Sequence, residues 1–289
     1  MRIAQLGLGL MGLPVALRLQ RQGFEVGGWN RGAGRMEAAR RAGLAADADL
    51  PALVRGADTL ILTLSDYPAI QAVLFAPGRT LELEGRLILQ MGTIGPAESR
   101  ALAARCREAG AEYLEAPVLG SLPEAEAGTL IVMAGGGEAE YARVLPLLSA
   151  LGRAPERVGG VGQAAALKLA MNQLIASLTA GFSLSLGLVR AEGLDVERFM
   201  ALLRASALYA PTYDKKLGKM LAHDYASANF PLKHLLKDMA LFRGVAAAVG
   251  IDDTLPAAHA ALLQRGAAAG LDDLDYSSLY ELINPAPPE

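Results

Sequence analysis

Two residues four apart, Lys168 and Asn172, stand out as groups able to do chemistry in an otherwise apolar run: between Val161 and Val189 Lys168 is the only formally charged residue. In a helix, a spacing of four puts both on one face. Lys168 is embedded in AAALKLAMN, so its stem must lie against apolar neighbours. Desolvation disfavours the charged amine, and a lysine titrating near neutrality both donates and accepts protons. Asn172 then serves to hold a reacting oxygen or to orient the ammonium. A lysine at a helix start is more often a solvated charge, and the apolar run around this one argues against that reading.

A second constellation opens the chain. Gly7-Leu8-Gly9-Leu10-Met11-Gly12 is a complete G-x-G-x-x-G between a strand-like segment, MRIAQLG, and a helix-like one, LMGLPVALRLQRQG. That context makes it a dinucleotide turn: glycine permits the tight bend, the approach of backbone to a pyrophosphate and close helix–strand packing. The helix N-terminus adds unpaired N–H groups and partial positive charge. At the end of the next strand, where NAD enzymes usually place Asp or Glu on the ribose 2′-OH, stands Trp29-Asn30-Arg31-Gly32. With no carboxylate there, Arg31 suits a 2′-phosphate, and Arg35 follows one helical turn on. The expected cofactor is therefore NADP, with NAD the lesser candidate.

The remaining composition narrows the classes. The chain has 289 residues and a formal net charge of -3, so no nucleic-acid footprint or polybasic membrane patch is expected. One cysteine, Cys106, in the helical pattern RALAARCREAG, cannot form an internal disulfide and reads as a small buried hydrophobe. Three histidines (His223, His234, His259) and no Cys/His cluster make a metal site unexpected. No secretory leader is expected, since glycines interrupt the N-terminal apolar run, and a cytoplasmic location follows. Residues 169–189 are apolar and long enough to span a bilayer. Asn172, Gln173, two glycines and several hydroxyls, with no flanking basic cluster, favour a helix buried between domains or subunits.

The elements that must position these groups are legible as a pattern. Segments 57–64, 85–92, 111–118 and 129–136 read as near-continuous apolar strands alternating with helices, the signature of βαβ units in a sheet covered on both faces. Beyond about residue 160 strands give way to helices: a long one bounded by Gly162 and Gly193, one capped by Asp195, and others near 211–221, 231–249, 254–268 and 275–283. The expected architecture is α/β: an N-terminal Rossmann-type doubly wound, mainly parallel sheet over 1–160 and an all-α C-terminal domain over 161–289. The Ala/Leu-rich helical half is expected to pack against a partner subunit in a homodimer or homotetramer, and the tail NPAPPE to fray.

Five ordered blocks carry a resemblance. GLGLMGLPVALRL (7–19), EAPVLGS (115–121) against the pattern D-A-P-V-S-G-G, GTLIVMAGG (128–136), GVGQAAALKLAMN (160–172) and NFPLKHLLKDMALF (229–242) resemble the β-hydroxyacid dehydrogenase family, most closely its 3-hydroxyisobutyrate branch. The resemblance implies NADP-linked interconversion of a small β-hydroxyacid and its semialdehyde, with Lys168 as general acid in reduction and base in oxidation and Asn172 on the reacting oxygen. It implies that Leu119, Gly120 and Ser121 bind the substrate carboxylate and that Thr93 sits between cofactor and substrate. It further implies that Leu64 and Ser65 pass along the cofactor ribose, and that Phe230 and Lys237 close over the nicotinamide side. Two departures bear on the substrate: Leu119 and Ser121 stand at the pattern's serine and last glycine, and Gly92 replaces a common serine before Thr93. Related readings are glyoxylate, succinic or tartronic semialdehyde reductases. Imine reductases generally lack the lysine, the 6-phosphogluconate enzymes have a larger helical domain, and a non-catalytic NADP sensor would have no need of a proton donor.

Overall fold

The computed structural model describes residues 1–78 and 80–284, so most of the expected frayed tail lies outside the described residues. The chain divides into two compact units, Met1–Lys168 and Leu169–Glu289.

The first unit is the expected Rossmann-type sheet with helices between its strands. In chain order it runs β1 (Arg2–Leu6), α1 (Gly12–Arg21), β2 (Glu25–Trp29), α2 (Ala33–Arg41), β3 (Ala45–Ala46), α3 (Leu50–Gly56), β4 (Thr59–Leu62) and α4 (Tyr67–Leu74). It continues through β5 (Leu87–Gln90), α5 (Pro96–Glu108), β6 (Glu112–Glu115), β7 (Val118–Leu119), α6 (Leu122–Ala127), β8 (Ile131–Gly136), α7 (Glu138–Leu151) and β9 (Glu156–Gly159). The strand order is β3-β2-β1-β4-β5-β6-β8-β7, with β9 on β8. β1 to β6 pair in parallel, while β6–β8 and β7–β8 are antiparallel. The run expected as one strand over 111–118 is broken at Ala116-Pro117, because proline has no N–H for a ladder. β1, β4 and β5 bury nearly every residue, so their apolar runs do not alternate. Cys106 lies fully inside this core, where burial pushes its thiol up to about 12.

The long helix α8 (Gln163–Ala191) starts where expected, after Gly162, which has φ +94°. Its opening turn belongs to the first unit and the rest to the second, so the units divide eight residues beyond the break expected at 160. The reason is local. The carboxylate at the end of β6 accepts from the backbone N–H groups of Gly162, Ala164 and Ala165 and ties that turn to the sheet.

In the second unit follow α9 (Val196–Arg204), α10 (Pro211–Ala222), α11 (Leu232–Val249), α12 (Thr254–Ala268), a 3₁₀ turn (Tyr276–Ser278) and α13 (Leu279–Ile283). Asp195 caps α9 by accepting from Arg198 N–H at 2.7 Å, as its sequence position implies. By length and composition α8 alone among the described residues qualifies as a membrane span. Here Ala176 and Ala180 pack in one apolar cluster and Phe182 and Leu186 in another, while Leu174, Leu184 and Leu188 stay exposed. A buried ion pair braces this unit: Lys216 Nζ donates to both Asp275 carboxylate oxygens at 2.8 and 2.9 Å and lies 4.3 Å from the Tyr276 ring centroid.

Candidate active site

The sheet reverses its winding between β1 and β4, and ligands of such sheets bind beyond the carboxyl ends of the strands at that point. The glycine turn follows β1, and Leu64 and Ser65 follow β4. Gly7 has φ +98°, and a Cβ there would come 2.6 Å from the Thr63 carbonyl oxygen. A Cβ on Gly12 would lie 2.0 Å from the Gly7 carbonyl oxygen, whereas one on Gly9 would meet nothing within 4 Å among the described residues. Gly7 and Gly12 therefore serve the fold, and Gly9 leaves open the space a pyrophosphate would take. The α1 N-terminus has no side-chain cap and no acidic residue in its first turn, which suits an anion. These residues fit a dinucleotide.

The turn is held by residues to which the sequence reading assigned no role. Gln5 donates to the Gly7 carbonyl at 3.1 Å and to Thr63 Oγ1 at 2.8 Å, and Thr63 donates to the same Gly7 carbonyl. Asn30, which with Arg31 forms the segment after β2 where the cofactor ribose is expected, accepts from Leu8 N–H at 3.1 Å and so joins the turn to the end of β2. Arg31 and Arg35 are exposed just beyond β2. Ser65 is exposed and donates to Asp66 at 3.0 Å.

A recess of about 190 Å³, counting the open space at its mouth, is lined by Gln90, Thr93, Glu115, Pro117, Ala165 and Lys168, with Gly92 and Ile94 completing it. The first unit thus brings Thr93 and Lys168 together by itself. Gly92, where a serine is common, is tightly placed: a Cβ there would lie 2.8 Å from the Leu64 carbonyl oxygen. Gln90 donates to the Gly92 carbonyl at 3.1 Å and fixes the loop carrying Thr93. Glu115 is 1% exposed, and its Oε1 accepts from the α8 backbone at 2.8–3.1 Å. Its Oε2 accepts from Ser99 Oγ, which in turn accepts from Tyr113 Oη. Burial pushes the Glu115 carboxyl above its ordinary value even though these hydrogen bonds pull it down.

Leu119, Gly120 and Ser121 do not line this recess. They form the end of β7 and the start of α6, with Gly120 at φ +138°. Ser121 directs both its N–H (2.8 Å) and its hydroxyl (2.7 Å) to Glu124 Oε2, so its donors close the α6 capping turn.

The second unit arranges its own polar set. Asn172 is fully buried, and its Nδ2 donates to Asp238 Oδ2 at 2.5 Å. That bond sets the amide so that Oδ1, buried and without a hydrogen-bond partner among the described residues, is left as an acceptor. Lys237 Nζ lies 2.9 Å from the other Asp238 oxygen. Asp238 is 2% exposed, so this is not the surface ion pair that two neighbouring opposite charges suggest. Phe230 is half-buried, edge-on to Tyr276 (centroids 5.7 Å) and stacked on His234 (6.3 Å). Burial and the Lys237 charge hold His234 below its ordinary value. Among the described residues no cluster of three or more His, Cys, Asp or Glu could hold a metal.

A glycine turn at the switch point, a lysine in a recess at the carboxyl edge of the same sheet and an all-helical second unit define an NAD(P)-linked oxidoreductase. Comparison with known proteins narrows the class. The NAD binding domain of 6-phosphogluconate dehydrogenase matches residues 2–162, and the NAD-binding domain of NADP-dependent 3-hydroxyisobutyrate dehydrogenase matches 162–283. Glyoxylate/succinic semialdehyde reductase 1 of Arabidopsis thaliana is 32% identical over 289 residues, covering 98% of each chain. The 2-hydroxy-3-oxopropionate reductase of Escherichia coli (strain K12) is 29% identical, covering 98% of this chain and 97% of its own. A solved structure of Psf3 in complex with NADP+ and 2-OPP superposes with a TM-score of 0.87 at 25% identity, over 97% of this chain and 99% of that one. The chain belongs to the β-hydroxyacid dehydrogenase family, as the five sequence blocks imply.

Proposed function

We propose that this protein reduces a small aldehyde- or keto-acid to its hydroxyacid with NADPH, and oxidises the hydroxyacid in reverse, with Lys168 transferring the proton. The observation that carries this reading is Lys168 in one recess with Thr93, beyond the carboxyl ends of β5 and β6. When bound, the nicotinamide supplies the hydride. Lys168 in its ammonium form donates a proton to the carbonyl oxygen as the carbonyl carbon is reduced, and the neutral amine takes the hydroxyl proton in oxidation. Asn172, its amide set by Asp238, is assigned to the reacting oxygen as a donor through its second Nδ2 proton, so the hydroxyl proton stays free for Lys168. Thr93 contributes a hydroxyl between substrate and cofactor. Leu119, Gly120 and Ser121 are assigned to the substrate carboxylate, and Phe230 and Lys237 to the nicotinamide side.

Two features refine the reading. The absence of a carboxylate in Trp29-Asn30-Arg31-Gly32 supports NADP over NAD. The identity with a glyoxylate/succinic semialdehyde reductase supports a semialdehyde substrate, and the match over 162–283 supports the 3-hydroxyisobutyrate reading beside it. The exposed leucine stripe of α8 is assigned to a homo-oligomer contact, and Leu184→Glu with Leu188→Glu should reduce the mass seen by sedimentation. Lys168→Ala tests the central claim against glyoxylate, succinic and tartronic semialdehydes and 3-hydroxyisobutyrate. It should bind NADPH as wild type and lose about three or more orders of magnitude in kcat. Turnover within tenfold of wild type removes Lys168 from the chemistry. Arg31→Ala should erase the preference for NADPH over NADH, and an unchanged ratio rejects its 2′-phosphate role.

A further inference from the structure

One buried group takes no part in the mechanism above, although it lines the same recess. Glu115 ends β6 with its carboxylate inside the protein, where an isolated charge is costly unless it is fully hydrogen-bonded. Its bonds point in a particular direction. Three backbone N–H groups, from Gly162, Ala164 and Ala165, converge on the single atom Oε1. These are orphan donors of a helix N-terminus, the groups a cap normally satisfies. The usual cap is a side chain at the helix's own start, whereas this one reaches across from the sheet, from a residue 47–50 positions earlier. Its other oxygen is fixed by Ser99, itself fixed by Tyr113, so the carboxylate has little freedom to turn. The site is also shaped around it: a Cβ on Gly135 would lie 2.4 Å from Glu115 Oε1.

Lys168 is the third residue after Ala165, one helical turn beyond the last N–H that Glu115 holds. Whatever fixes that first turn fixes the position from which the lysine enters the recess. We propose that Glu115 is a positioning residue for the proton-transfer lysine: by capping α8 from the sheet it sets the place of Lys168 against Thr93, and its negative charge acts on the ammonium in the shared recess. This inference rests on the assignment of Lys168 above. Ser99 from α5 holds the carboxylate and Tyr113 from β6 holds Ser99; Lys168 from α8 lines the same recess, and the Arg100 guanidinium lies against Gly162, one of the donors to Oε1.

The test is Glu115→Gln in the full-length protein, with Lys168→Ala alongside. Glutamine keeps the volume and one acceptor oxygen but removes the charge and weakens the cap. The expected result is a fall in kcat of about ten- to a hundredfold, the scale of a small misplacement of a reacting group. NADPH affinity by fluorescence titration should stay within about twofold, since the glycine turn is untouched. The limb of the kcat profile that reports the lysine should move to lower pH by about half a unit or more, because an anion near the ammonium has been removed. A purely structural role would leave that limb in place. Should Glu115→Gln give little folded protein, Ser99→Ala removes only the hydroxyl holding Oε2, and a kcat several-fold lower with unchanged cofactor affinity is then expected. A wild-type kcat and pH profile in whichever variant folds, with Lys168→Ala inactive, overturns the proposal. If Lys168→Ala itself turns over normally, the assignment of the lysine fails instead.

Discussion

Gly9 and Gly12 belong to one motif yet should fail in opposite ways when replaced by alanine. A Cβ on Gly12 would sit 2.0 Å from the Gly7 carbonyl oxygen and 2.4 Å from Thr63 Oγ1. Relief to ordinary contact requires shifts of more than about 1 Å in backbone that Gln5 and Thr63 pin, and overpacking of this kind typically costs about 1–3 kcal/mol. Alanine's helix preference at the first position of α1 offsets only part of this, about 1 kcal/mol at most. For a unit of 168 residues, each kcal/mol moves the melting point by about 2–4 °C, so Gly12→Ala should melt several degrees below wild type. A Cβ on Gly9 meets nothing within 4 Å and the residue is not at positive φ, so Gly9→Ala should melt at or slightly above the wild-type temperature. Its methyl group nonetheless fills the space through which a pyrophosphate must approach the backbone. Losing one or two charge-assisted hydrogen bonds at about 1.5–3 kcal/mol raises the NADPH Kd by at least about tenfold. Differential scanning fluorimetry of the apoprotein and NADPH fluorescence titration give the two readouts. A Gly9→Ala protein that binds NADPH as wild type would falsify the reading of Gly9 as the open side of the cradle.

Other perturbations separate structure from chemistry elsewhere. Lys216→Met leaves the buried Asp275 carboxylate without its counter-charge, held by Ser277 and the Asn229 N–H alone, at a cost of up to about 3–5 kcal/mol, and should lower the denaturation midpoint of the helical unit; a midpoint unchanged in urea would refute it. Asp238→Leu removes the acceptor that sets the Asn172 amide, so kcat should drop at least about tenfold while NADPH still binds, and normal turnover would show that the amide needs no such orientation. Glu124→Gln weakens the hold on both Ser121 donors and removes an anion from that loop, so the KM for the acid substrate should fall several-fold; an unaltered KM places the substrate carboxylate elsewhere. Glu115 also has a pH signature. Its folded pKa is raised by burial, so the stability linked to it is present below the ordinary glutamate pKa and is lost as pH rises through the folded value. Glu115→Gln lacks that loss and should gain in melting temperature relative to wild type as pH is raised from about 4.5 to neutrality, whereas a difference constant with pH contradicts the sign.

What was legible in the sequence is what depends on neighbours in sequence. The glycine turn, the period of the strands, the limits of α8 at its flanking glycines and the Asp195 cap are set by residues within a turn or two of one another. Lys168 was legible because it is alone in its run. Glu115 was not, since the donors that give it meaning lie 47–50 residues away, and in the sequence it is one acidic residue closing an apolar strand. Asp238 was hidden for a similar reason: beside Lys237 it reads as a local ion pair, and only its bond to Asn172, 66 residues distant, shows a buried carboxylate with two partners. The Ser121 contact is the reverse case: its capping partner stands only three residues on, in Ser121-Leu122-Pro123-Glu124, an ordinary helix-start signal legible in the sequence.

A common device runs along the carboxyl edge of this sheet. Gln5 in β1, Gln90 at the end of β5 and Glu115 at the end of β6 are all buried polar side chains where an apolar residue would be easier to accommodate. Each is spent on the segment that carries the chemistry: Gln5 on the Gly7 carbonyl, Gln90 on the Gly92 carbonyl before Thr93, and Glu115 on the first turn of α8 before Lys168. Loops on such an edge are otherwise the parts of the fold held by the fewest contacts. The two glutamines leave their own Oε1 atoms without a hydrogen-bond partner among the described residues, a cost that packing alone gives no reason to accept. The cost is reasonable if cradle, Thr93 and lysine must keep fixed places relative to the sheet, because proton and hydride transfer tolerate little displacement of the reacting groups. On this argument Gln5→Leu and Gln90→Leu, which relieve an unsatisfied buried oxygen, should leave the fold close to wild type in stability while loosening the cradle and the Thr93 loop. Cofactor Kd would rise in the first and kcat would fall in the second, and a loss of stability in both without either effect would mean that the glutamines serve the core alone.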